Sequence, residues 1–89
     1  MYTLYRINCC TDKHVYIGIS RKVWDRLLVH KRKLGAMFVR KHGLKSFSLL
    51  AEFETEQEAK LAERSEVLRL KKLFEHFGYR ICGAGWSQS

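Results

Sequence analysis

Tyr2–Ser20 reads YTLYRINCCTDKHVYIGIS, and this stretch decides the architecture. Its two halves, YTLYRIN and HVYIGIS, are short and rich in β-branched and aromatic residues, and CCTDK separates them. That pattern predicts a β-hairpin with a loop of about five residues. In the second half, Val15, Ile17 and Ile19 alternate as one buried face. Tyr16, Gly18 and Ser20 are then expected on the other face, pointing away from the core. A glycine inside a strand marks close approach of something to the backbone. An aromatic two residues before it suggests a working surface.

Outward from the hairpin, Ser20 is placed to cap a helix running to about Leu34, with Val23, Leu27, His30 and Leu34 at helical spacing. GAMFVRKHG predicts a shorter helix closed by Gly43. SFSLLAEF alternates Phe47, Leu49, Ala51 and Phe53, which predicts a third strand with one buried face. Thr55 and Glu58 form a capping box for a third helix reaching about Phe74. The tail GYRICGAGWSQS holds at most a short extended piece. The order β-β-α-α-β-α implies an α+β sandwich, a three-stranded antiparallel sheet flanked by helices. No repeat, proline or linker divides residues 1–89, so one domain is expected.

The 89 residues are 46% hydrophobic, enough for one modest core. No run of apolar residues is long enough to span a membrane. The N-terminus lacks the apolar stretch of a secretion signal, so a cytoplasmic, unsecreted protein is expected. Cys9, Cys10 and Cys82 then read as reduced thiols. A zinc site built from them with His14 is disfavoured, because adjacent cysteines do not match the usual ligand spacing.

The net charge of +8 is localised. Arg21, Lys22, Arg26, Lys31, Arg32, Lys33, Arg40, Lys41 and Lys45 stand against the single acid Asp25 in one segment. The rest of the chain is balanced. A localised excess favours a polyanion-binding face over a generally basic protein. Trp24 and Phe38 flank the basic helices and offer rings for base stacking, though such residues more often serve the core.

Two charged or titratable groups interrupt apolar patterns. Glu63 falls in the stripe Ala59, Glu63, Val67, Leu70, Phe74. A carboxylate there needs a partner, a metal or an edge position open to water. His30 sits in the apolar stripe of the first helix with Arg26 one turn away, and arginine suits bidentate phosphate recognition. Tyrosine, arginine, histidine, one carboxylate and a basic face together point to phosphodiester chemistry.

At these residues the chain resembles the GIY-YIG nuclease superfamily. TLY (Thr3–Tyr5) stands at the first motif and YIG (Tyr16–Gly18) follows after ten residues. Arg26 comes eight positions after Gly18, and His30 four later. VRKHGLKSFSLLAEFETEQEA is similar to the middle block of phage and homing versions, and LAERSEVLRLKKL supplies Glu63. The resemblance implies metal-dependent DNA cleavage. Tyr5 or Tyr16 would lie near the attacking water, Arg26 on the scissile phosphate, and His30 beside a tyrosine or the phosphate. Glu63 would hold a single Mg²⁺ or Mn²⁺, and Gly18 would allow close backbone packing. Lys22, Lys31, Arg32, Lys33, Arg40, Lys41 and Lys45 would contact duplex or branched DNA, with a homodimer on the substrate as one route to a double-strand cut. Thr3 replaces the first glycine, and Arg80 stands where the family's closing block has an asparagine. That replacement keeps open a binding or regulatory protein with weakened catalysis, and the Ser-rich GWSQS end is compatible with a catalytic fragment of a larger homing endonuclease.

Overall fold

The computed structural model describes residues 1–32 and 35–83. Lys33, the helix end expected near Leu34 and the last part of the tail lie outside the described residues.

Strands β1 (Tyr2–Cys9) and β2 (His14–Ser20) form the expected antiparallel hairpin. Helix α1 (Val23–Lys31) and the short α2 (Met37–His42) follow, then β3 (Leu44–Phe53), the long α3 (Glu56–Phe74), a 3₁₀ turn and β4 (Arg80–Gly83). The sheet order is β3-β1-β2-β4. The class is α+β as expected, but the sheet has four strands rather than three and is not wholly antiparallel. β4 pairs in parallel with β2, Tyr16 opposite Cys82. α3 crosses the sheet between two edges and returns the chain in the direction of β2, so the tail completes the sheet.

Both faces of the sheet are covered. α3 packs Val67 and Leu70 against Leu4, Val15, Ile17 and Ile81. On the opposite face, α1 and α2 bring Val23, Leu27 and Val39 onto Tyr5, Ile7, Cys9 and Tyr16. This overturns the expectation that Tyr16 points away from the core, since Tyr16 and Tyr5 are each only 1% exposed. The alternation was right, but the second face is also roofed.

β3 departs from expectation in the other direction. Phe47 and Leu49 are exposed, and only Leu44 and Phe53 at its ends are half-buried. The strand is an outer edge of the sheet, and its register shifts opposite Leu4 and Tyr5. Phe47 instead meets Trp24 edge-to-face, with ring centroids 5.8 Å apart.

The helix ends follow local chemistry. Thr55 and Glu58 form the capping box: the Glu58 N–H donates to Thr55 Oγ1 at 3.2 Å, and the hydroxyl donates to the Glu58 carboxylate at 2.9 Å. Gly43 ends α2 at φ 77°, with its N–H on the Val39 carbonyl. Ser20 does not cap α1. Lys22 occupies that position, and Ser20 Oγ accepts the Lys22 N–H at 3.1 Å. Among the described residues no helix is long and apolar enough to cross a membrane.

Candidate active site

The hairpin register sets Tyr5 directly opposite Gly18, and Tyr16 opposite Ile7. Tyr5 and Tyr16 therefore project from neighbouring strands onto the face under α1, with ring centroids 6.4 Å apart. The glycine is required by Tyr5. A Cβ at residue 18 would lie 2.5 Å from the Tyr5 hydroxyl and 2.6 Å from its Cζ. The phenol lies across the bare backbone of the next strand, and this is the close approach that the strand glycine signalled.

His30 comes down from α1 onto this pair and is 1% exposed. Its Nε2 stands 3.0 Å from the Tyr5 hydroxyl. Its ring centroid is 5.9 Å from that of Tyr5 and 5.5 Å from that of Tyr16. Burial, and next the charge of Arg26, lower the His30 pKa to about 4, so the ring is neutral at pH 7. Burial raises Tyr5 to about 12 and also raises Tyr16, with Arg26 pulling back on both and Glu63 adding to both. At neutral pH the site is thus an uncharged phenol–imidazole–phenol cluster beside a half-buried guanidinium.

Glu63 reaches the sheet from α3, on the other side, and is 4% exposed. Its charge acts on both tyrosines and on Lys60, one turn earlier. The five residues singled out in the sequence, Tyr5, Tyr16, Arg26, His30 and Glu63, are in this way brought into one electrostatically connected group. Among the described residues, no three of His, Cys, Asp or Glu are placed to hold a metal ion, so neither the Cys9/Cys10/His14/Cys82 set nor any other soft cage is built there. A single buried carboxylate of this kind suits instead a hard cation that keeps most of its water.

The family model for the GIY-YIG catalytic domain matches residues 1–80. The chain belongs to the GIY-YIG family. No curated protein and no solved structure matches it. The GIY-YIG assignment makes it a nuclease-family protein and implies contact with nucleic acid. The basic side chains Lys22, Lys31, Arg32, Arg40, Lys41 and Lys45 are all exposed, around α1, α2 and the start of β3.

One residue beside these side chains, Gly35, escaped the sequence reading. Gly35 leaves its backbone against the His30 ring: a Cβ there would stand 2.4 Å from Nδ1 and 2.8 Å from Cε1. Glycines therefore flank the Tyr5–His30 pair on both sides. The signal was a glycine between two helical stretches, which by itself reads only as a helix stop. Phe38 stacks on Tyr16 at 6.4 Å and 28°, closing the site toward α2. Arg80 lies at the start of β4 opposite His14, exposed, two residues before the partner of Tyr16.

Proposed function

We propose that the protein is a divalent-metal-dependent endodeoxyribonuclease of the phage or mobile-element kind, with low intrinsic sequence specificity. The observation that carries this reading is the buried 3.0 Å contact between the Tyr5 hydroxyl and His30 Nε2, beside Arg26. The neutral His30 ring shares a hydrogen bond with the Tyr5 hydroxyl through Nε2, which fixes the position of the phenolic oxygen. Ionising Tyr5 alone at pH 7 costs about 7 kcal/mol from a pKa of about 12. The resting pair is therefore a positioning device, and charge that arrives with the substrate must drive any proton movement. Arg26 offsets charge developing on the phosphoryl oxygens, and Tyr16 orients the attacking water or the phosphate from the adjoining strand. Glu63 would hold Mg²⁺ or Mn²⁺ with water completing the shell. Such an ion polarises the scissile phosphate and acidifies water.

Purified protein incubated with supercoiled plasmid or a branched duplex, in Mg²⁺, Mn²⁺ or EDTA, tests the reading. Metal-dependent nicking that Glu63→Ala abolishes, with DNA binding and thermal melt retained, supports it. DNA binding without cutting by the wild type would sink it. One observation favours a second reading, a binding protein that has lost efficient cleavage: Arg80 occupies the asparagine position and is exposed on β4. Gain of nicking in Arg80→Asn would identify that case.

A further inference from the structure

Beyond Tyr16, the site face continues into a cluster of rings that the cleavage mechanism does not use. Phe38 stacks on Tyr16, His14 lies 5.8 Å from Phe38 at 27°, and His42 lies 4.1 Å from His14 and 4.9 Å from Phe38. All three outer rings are half-buried, and so show part of their surface to solvent. Local hydrogen bonds fix the imidazoles. His14 Nδ1 donates to the Asp12 carbonyl at 2.8 Å, and His42 Nδ1 meets Thr11 Oγ1 at 3.1 Å. These contacts leave each Nε2 edge directed away from the loop.

The surroundings are almost purely cationic. The loop between β1 and β2, α2 with the start of β3, and β4 contribute Lys13, Arg40, Lys41, Lys45 and Arg80 against Asp12 alone. All five cations are exposed. Two backbone bonds, Cys10 N–H to Gly43 O and Thr11 N–H to His42 O, hold the loop on the end of α2. A third, Arg80 N–H to Lys13 O at 2.7 Å, ties in β4. A stacking surface rimmed by cations is what an unstacked nucleotide needs: a ring for its base and positive charge for its phosphate.

We infer that Phe38, His14 and His42, with Lys13, Lys41 and Arg80, form a subsite for an unpaired nucleotide next to the cleaved phosphate. The inference rests on the nucleic-acid reading above and narrows its substrate class to DNA with a single-stranded segment at the cut, such as a flap or branch. Arg80 then holds substrate at the place where the family has a supporting asparagine. A pH signature follows at His42. Partial desolvation, the His14 ring and Lys41 hold its pKa below the ordinary imidazole value, and a phosphate in the subsite would favour its charged form. The groups facing the two imidazoles are the Asp12 carbonyl and Thr11 hydroxyl of the loop, Phe38 and Lys41 on α2, and Arg80 opposite His14 on β4. They are cationic or neutral, which opposes protonation of His42 until a phosphate arrives.

Fluorescence anisotropy in EDTA tests this with a blunt duplex and the same duplex carrying a single-stranded flap. The wild type is expected to prefer the flap by about fivefold to a hundredfold, the worth of one stacked base. The preference should widen from pH 7.5 to pH 5.5. His42→Ala/Lys41→Ala, checked by thermal melt, should lose the preference and its pH response. Lys31→Ala/Arg32→Ala should weaken both ligands equally and keep the ratio. Equal wild-type affinity for the two ligands, or a preference unchanged in His42→Ala/Lys41→Ala, overturns the subsite alone. Failure of the wild type to bind either DNA overturns the nucleic-acid reading itself, and this inference with it.

Discussion

Replacing Gly18 by alanine is expected to destabilise the protein, against the usual sign for such a change. An alanine in place of glycine, where the backbone suits it, stabilises by about 0.4–1 kcal/mol through the unfolded chain. Gly18 has ordinary strand backbone, so no conformational strain opposes the change. Packing opposes it. The new methyl would lie 2.5 Å from the Tyr5 hydroxyl, 2.6 Å from Cζ and 3.0 Å from Tyr16 Cε2. Ordinary contact begins near 3.4 Å, so the phenol must retreat by about 0.9 Å. Tyr5 is 1% exposed and hemmed in by the Tyr16 and His30 rings. Overpacking of this kind costs about 1–3 kcal/mol. Pulling the hydroxyl off His30 adds about 1–3 kcal/mol for a broken buried hydrogen bond. A net loss of about 1–5 kcal/mol lowers Tm by at least about 4 °C in a domain of this size. Circular dichroism melts of Gly18→Ala and wild type, alone and in a Tyr5→Phe background, measure it. Phenylalanine removes the 2.5 Å contact but leaves Cζ at 2.6 Å, so the alanine should remain destabilising there. A Tm unchanged or raised by Gly18→Ala, or complete rescue by Tyr5→Phe, would refute the reasoning.

Stability should also depend on pH through His30. Its folded pKa of about 4 lies below the unfolded value of 6.5, so the unfolded chain binds the extra proton. Stability is then full above about pH 6.5 and falls toward pH 4, by on the order of 3 kcal/mol; urea melts of wild type and His30→Gln should diverge in that window. Thr55→Ala removes the capping box and should cost about 1 kcal/mol without changing the folded spectrum. Lys31→Ala/Arg32→Ala should reduce the slope of log affinity against log salt by about 2 for duplex DNA, measured by anisotropy, if both side chains lie on phosphates.

The parts of the fold legible in the sequence are those fixed by short-range chemistry. Thr55 and Glu58 announce α3 because two reciprocal hydrogen bonds need only those residues three apart. Gly43 ends α2 because the φ of 77° suits glycine. The alternation in HVYIGIS gave the strand and its two faces, yet not that both would be covered. Tyrosine is compatible with water or with a core, and only the later helices decide. Phe47 and Leu49 alternate as a buried strand should, and remain exposed on an edge strand, where Phe47 packs against the likewise exposed Trp24 of α1. β4 was illegible as a strand partner, because its parallel pairing depends on where a 19-residue helix delivers the chain.

The covering of Tyr5 and Tyr16 changes what the candidate site can be. A tyrosine on an open face would titrate near its ordinary value and rely on water to hold it. Here the same desolvation that raises Tyr5 to about 12 lowers His30 to about 4. The two groups thus remain neutral across the whole physiological range, and their hydrogen bond is kept away from competing water. A neutral pair does not repel an incoming polyanion, and Arg26 sets a positive charge beside it. Gly18 and Gly35 belong to the same logic. Each omits a methyl group at one end of the pair, so the backbone itself presses on the phenol and on the imidazole and holds their 3.0 Å contact. The motif glycine is therefore read best as part of the Tyr5–His30 geometry, and Gly35, outside any motif, as its counterpart.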